Sequence, residues 1–413
     1  MRRIIPVSSG KGGVGKTTFA INFALTLSRV APTVLIDLDT GTSSIRNTID
    51  VPVGKDLYHF FRKGAALDEC LTTLDGRIDP DGTYRNFAFI AAPRHAIDEI
   101  TNLRDDLRWR LLHAINGLDA RFIVLDLRAG LDANVVDFLP LSNSGVLVFT
   151  PHHPAATLAA ADIVKSLLFR KLRIIFSEGS PFFRSLPDTS HHRMVTELLD
   201  AVEDVYEENL PNLDAFLVDL HGALGDNPYL RAIAWVLRSF GVYFVLNMFN
   251  GVQESYETSI RPFVESLRRN VSGKLTLTNL GWVVQDPRIH EANCRRTPIL
   301  LQQPEERRTA DPDPVRKELA ALESSVLGLP AMRRERPRPV NLDELQRIDP
   351  SCTVDRQLEI LERMYRDHGD RQVRENFAYI AHRALHVMKH LPPESFGLPR
   401  LYTPLEIFDQ LRV

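Results

Sequence analysis

Short apolar runs alternate with longer amphipathic stretches along most of the chain. The runs Arg3–Ser8, Thr33–Leu38, Phe87–Ala92, Phe122–Leu127, Gly145–Thr150, Val242–Met248 and Thr278–Val284 are rich in β-branched and aromatic residues. Several are apolar nearly throughout, as strands covered on both faces require. Helical spacing follows, first over Thr17 to about Val30. Strand and helix repeated in this way predict stacked βαβ units, hence an α/β fold with a mostly parallel, doubly wound sheet. Pro6 fits the first run poorly, because proline has no N–H to give to a ladder. Either that strand is irregular at Pro6 or its ladder begins just after it.

Two stretches break the alternation. Residues 169–241 are longer than one crossover needs, with an acidic helical pattern over Met194–Glu208 and a turn-rich patch from Gly222 to Pro228. They read as a helical insertion and a candidate partner surface. Asp311-Pro-Asp-Pro314 and Gly328–Val340 have the composition of linker. Helical periodicity returns at Phe377, Ile380, Ala381, Ala384, Val387, Met388 and Leu391. The chain therefore divides into a main domain over 1–308, a helix and linker over 309–340, and a small helical region over 341–413.

Composition narrows the setting. A chain of 413 residues suits a large α/β domain plus something smaller. The net charge of −3 gives no global pull toward nucleic acid or an anionic membrane. The three cysteines, Cys70, Cys294 and Cys352, form no C-x-x-C pair, which fits a reducing compartment. The first apolar stretch is too short for a signal peptide, and no window is long enough to span a bilayer. The cytoplasm is the expected location. Leu167–Phe176 mixes apolar and basic residues as membrane-surface helices do, but reads better as a core helix with snorkelling arginines. Pro404–Val413 carries two acids and one base, the wrong sign for anionic lipid.

The chemistry starts at Gly10. Gly10-Lys-Gly12-Gly13-Val14-Gly15-Lys16-Thr17 matches the phosphate-loop pattern without a substitution, between a strand and a helix. Glycines let backbone N–H groups turn toward phosphates, and the helix N-terminus adds its positive end. Lys16 is expected to reach the β- and γ-phosphates, Thr17 to ligate Mg²⁺, and Thr18 to touch the α-phosphate side. The extra lysine, Lys11, makes the string resemble the deviant Walker A loop of the MinD/ParA/Mrp family. The resemblance implies that Lys11 crosses a dimer interface to the partner's nucleotide. A cation that reaches the phosphates only when two subunits meet makes hydrolysis depend on association.

Other segments extend the resemblance over roughly 1–308, interrupted by the insertion. Leu35-Ile-Asp37-Leu-Asp39 places two carboxylates at the carboxyl edge of a strand, where open α/β sheets bind ligands. The family implies Asp37 near Mg²⁺ and Asp39 as the residue that orients attacking water. Gly41-Thr-Ser-Ser-Ile45 departs from the MinD sequence and is closer in spacing to the Mrp proteins. Arg121-Phe-Ile-Val-Leu-Asp126 has the Walker B pattern, so Asp126 would hold Mg²⁺ through water. Gly130 then falls at the γ-phosphate sensor of switch II. Arg128 replaces the usual proline and either alters that switch or adds a phosphate contact. His152 and His153 lack a third ligand at metal spacing and read as loop residues. Asn247 and Gln285 align with the family's nucleobase pocket. The absence of a guanine signature favours ATP.

The resemblance therefore implies an ATP hydrolase that dimerises on ATP, closest to the MinD/FlhG branch. Its output would be positioning, number control or assembly of a cellular structure through partner proteins. Two alternatives stand beside it. One is an Mrp-like metal-cluster carrier, opposed by the missing C-x-x-C. The other is a nucleotide-gated scaffold that does not hydrolyse. DNA or membrane contact is not favoured.

Overall fold

The computed structural model describes residues 2–39, 44–95, 102–131, 135, 138–140, 142–203, 212–302 and 373–391. Eight strands form one sheet: β1 (Arg3–Ser8), β2 (Thr33–Asp37), β3 (Thr72–Thr73), β4 (Phe87–Ile90), β5 (Phe122–Asp126), β6 (Asn143–Phe149), β7 (Gly241–Phe249) and β8 (Thr276–Val284). Their spatial order is β3-β4-β2-β5-β1-β6-β7-β8. Every pairing is parallel except β3 with β4. The mostly parallel α/β sheet expected from the sequence is present. β3 has two residues, too few to leave a periodic signal.

Pro6 lies in a central strand, and its neighbour absorbs the misfit. On the β5 side it stays in register opposite Leu125. On the β6 side the ladder begins at Val7. There Gly145 has φ +62°, and a Cβ on it would sit 2.7 Å from the Pro6 carbonyl oxygen. The irregularity thus sits in β6, where the register shifts between Asn143 and Val146.

Helices cover both faces. α1 (Lys16–Ser28) follows the glycine loop, then come α2 (Ser44–Thr48), α3 (Leu57–Lys63), α4 (Asp105–Gly117) and α5 (Pro154–Phe176). α6 (His192–Glu203), α7 (Leu213–Leu224) and α8 (Pro228–Ser239) precede β7. α9 (Arg261–Asn270) and α10 (Pro287–Cys294) flank β8, and α11 (Val373–His390) closes the described chain. Asn212 caps α7 and Asn227 caps α8, each accepting backbone N–H groups that a first turn leaves unpaired. Among the described residues no helix is long and apolar enough to cross a membrane.

The basic-apolar run Leu167–Phe176 is the second half of α5, packed in the core. Lys171 does not snorkel. It is 3% exposed, its ammonium 4.9 Å from the Trp235 ring centre on α8, and burial lowers its pKa to about 8.

α11 packs against α1 and β8. Phe377 meets Phe19 of α1 with ring centres 6.1 Å apart. Gly281 of β8, φ +143°, admits the helix, since a Cβ there would lie 2.8 Å from Ile380. The Asn376 side-chain oxygen accepts the Val284 N–H at 3.2 Å, one residue before Gln285. At the other end Arg3 donates to the carbonyls of Met388 (2.6 Å) and Leu391 (3.1 Å).

Candidate nucleotide-binding site

β1, β2 and β5 end side by side, and their carboxyl ends meet the glycine loop. Register places Asp37 opposite Asp126, so two carboxylates share one buried edge. Lys16 reaches across from the start of α1, and its ammonium lies 2.5 Å from Asp126 Oδ1. Asp37 accepts the Asp39 N–H at 3.2 Å and the Ile45 N–H at 3.1 Å. Burial raises the Asp37 pKa well above its ordinary value, and the nearby Asp126 raises it further. Asp126 Oδ2 and Ser8 Oγ are buried without a hydrogen-bond partner among the described residues. Two buried carboxylates, one of them with an unpartnered oxygen, and the unpartnered Ser8 hydroxyl beside them are oxygen ligands that fit a hard divalent cation.

The loop is held from three sides. Gly10 packs against α5, where a Cβ would lie 2.5 Å from the Ala159 backbone and 2.6 Å from Ala160 N. Gly15 caps α1 in a left-handed conformation, φ +76°, and a Cβ there would strike the Asn247 amide at 2.3 Å. Asn247, on β7, donates from Nδ2 to the Val14 carbonyl at 2.8 Å. Gly130 donates its N–H to the Ser9 carbonyl at 2.9 Å, so the segment after β5 touches the loop directly.

The two lysines of the loop differ. Lys16 is 6% exposed and turned inward, whereas Lys11 is exposed. Gly12 and Gly13 are exposed beside it, and Thr17 and Thr18 are half-buried at the start of α1. Thr18 Oγ1 receives the Asn293 amide of α10 at 3.1 Å. Gln285 pairs with His152 through Oε1 and Nε2 at 3.0 Å, joining the loops after β8 and β6.

The loop residues and the carboxylates named from the sequence therefore converge on one edge. Asn247 meets the loop backbone. Gln285 lies at the end of the neighbouring β8 and is bonded to His152. Sequence reasoning missed Asn293 and Arg296, whose partners Thr18 and Arg46 are far off in the chain.

The model of the CobQ/CobB/MinD/ParA nucleotide-binding domain family matches residues 5–368. The chain belongs to this family. A septum site-determining MinD protein of Chlorella vulgaris is 30% identical over 171 residues, 41% of this chain and 57% of that protein. MinD of Synechocystis sp. is 31% identical over 186 residues, 42% of this chain and 66% of that protein. The chain thus spans a little over half to nearly two thirds of these MinD relatives. Among solved structures, MinD of Pyrococcus horikoshii complexed with Mg-ADP aligns with TM-score 0.41 and 17% identity, covering 74% of this chain and 90% of that one. Membership in the MinD/ParA family makes the chain a P-loop nucleotide-binding protein.

Proposed function

We propose that the chain is an ATP-dependent dimerising switch that hydrolyses ATP slowly and passes its bound state to partner proteins. The observation that carries this reading is the division between its two loop lysines. Lys16 is buried against Asp126, while Lys11 is exposed at the mouth of the site. An exposed cation beside a phosphate loop is placed to act on a neighbouring subunit's nucleotide.

On this reading ATP phosphates draw Lys16 away from Asp126. Asp126, Asp37 and the Thr17 hydroxyl are then the groups that would hold Mg²⁺, which neutralises phosphate charge when bound. Gly10 to Gly15 cradle the phosphates with backbone N–H groups. Asn247 has already committed its amide to the Val14 carbonyl, which leaves its side-chain oxygen as an acceptor suited to the adenine amine. Gln285, held by His152, lines the same base side. Asp39 orients the attacking water. Gly130 carries the state of the γ-phosphate to the segment beyond β5.

Light scattering with ADP and with ATP tests the reading on wild type, Lys11→Ala and Asp39→Ala. ATP should double the mass of wild type transiently and of Asp39→Ala persistently, and leave Lys11→Ala monomeric. A mass that never responds to nucleotide would remove the dimer mechanism and the role of Lys11.

A further inference from the structure

We propose that Arg296 is a positioning residue of the nucleotide cycle, tying α10 on the base side of the site to α2, the short helix that Asp37 caps. This rests on the nucleotide-switch reading above. α2 has five residues, far fewer than a helix needs to persist alone in water. Its place is therefore set by whatever holds its ends. At the first turn the Ile45 N–H, a donor with no partner inside the helix, is received by Asp37 Oδ2. Further along, the Arg46 carbonyl, an acceptor left over for the same reason, receives Arg296 Nη2 at 3.1 Å. The same guanidinium pairs with Asp50 Oδ1 at 2.8 Å, and the Asp50 N–H donates to the Arg296 carbonyl at 2.9 Å. One residue thus grips three points at the far end of α2.

Arg296 is itself tightly placed. Its φ of +54° is a left-handed conformation that costs a non-glycine residue about 1 kcal/mol. The turn is closed by Arg296 N–H to the Asn293 carbonyl and Thr297 N–H to the Ala292 carbonyl, both at 3.0 Å. Asn293, in that turn, also holds Thr18 of the loop helix. An unbroken chain of bonds therefore runs from Thr18 through Asn293 and Arg296 to α2, and from α2 through Ile45 to Asp37. A cation that engages the Asp37 carboxylate competes with its bond to Ile45. A nucleotide phosphate that accepts the Thr18 hydroxyl proton leaves the bond from Asn293 to Thr18 Oγ1 intact, and so acts on the same chain from its other end. The two events meet in α2, and such coupling is reciprocal. Arginine suits the place because its fork serves a carbonyl and a carboxylate together, where lysine offers a single point charge. The ion pair with Asp50 is about half exposed, 47% and 48%, so it adds little stability, and its role is geometric.

The full chain as wild type, Arg296→Gly and Arg296→Lys would be titrated with N-methylanthraniloyl-ATP and -ADP, each with Mg²⁺ and with EDTA. Glycine adopts φ +54° freely, so Arg296→Gly removes the guanidinium and keeps the turn; thermal melting reports whether the fold is retained. Mg²⁺ should tighten nucleotide binding in wild type, and that gain should fall about fivefold in Arg296→Gly while affinity in EDTA stays unchanged. Arg296→Lys should behave like Arg296→Gly. Variants that keep the full Mg²⁺ gain would overturn the proposal, and so would a loss of affinity that is equal with and without Mg²⁺. If wild type binds neither nucleotide, the switch reading itself falls and takes this inference with it.

Discussion

The Lys16 ammonium lies 2.5 Å from Asp126 Oδ1, a buried ion pair joining the phosphate loop to the end of β5. The lysine neutralises a carboxylate that otherwise has no counter-charge in the core. Lys16→Ala strands that carboxylate and should cost about 3–5 kcal/mol in urea melts without nucleotide. Lys16→Met combined with Asp126→Asn should recover most of the loss, yet bind no nucleotide. A single variant as stable as wild type would show that the pair contributes nothing to the fold.

Asp37 gives the metal-free protein a pH dependence of known sign. Its pKa is raised above the unfolded value by burial and then by Asp126. The folded state therefore binds the proton more tightly, and stability is lost as pH rises through the raised value. Asp37→Asn should melt higher than wild type at neutral pH in EDTA, and its curve should lack that decline. Parallel pH profiles for the two proteins would contradict this assignment.

Lys171 carries the opposite group with an equally definite sign. Its pKa is lowered to about 8 by burial alone, so the unfolded chain binds more protons between about pH 8 and the ordinary lysine value. Wild-type stability should rise with pH across that window. Lys171→Met should stabilise the protein at pH 7 by up to about 3 kcal/mol, less whatever the Trp235 contact contributed. The advantage should vanish toward the upper end of the window. Denaturant melts at pH 7 and pH 10 compare the two proteins directly, and a constant difference would exclude a buried ammonium.

Gly10→Ala tests whether α5 supports the loop. The added Cβ meets backbone atoms of Ala159 and Ala160, which cannot swing aside as a side-chain tip could. The loop and α5 must part, at a cost of about 1–3 kcal/mol, with a loss of nucleotide affinity. Wild-type melting and binding in this variant would mean that the contact yields without consequence.

Asn247→Ala removes the bond to the Val14 carbonyl, which no other described side chain makes. Stability should drop by about 1 kcal/mol. On the proposed reading, preference for ATP over GTP should weaken, because the acceptor proposed for the adenine amine goes with it. Competition of fluorescent ATP by both nucleotides measures the second effect, and an unchanged ratio would leave Asn247 a purely structural residue.

Much of the architecture is local and could be read without coordinates. β1 runs over the predicted residues, and β2, β4, β5, β6, β7 and β8 end within two residues of expectation. Strands buried on both faces announce themselves by uninterrupted apolar runs, and the glycine loop carries its own strand–loop–helix context. The contacts that shape the site have no such signature. Asn247 reaches Val14 because β7 lies two strands from β1, Arg296 reaches α2 because α10, after β8, returns to Thr18 at the start of α1, and Lys171 lies under Trp235 because α8 folds onto α5. Periodicity tells which face of an element seeks cover. Which element supplies that cover depends on strand order and crossover, and these are decided only when distant segments compete for the same apolar surface.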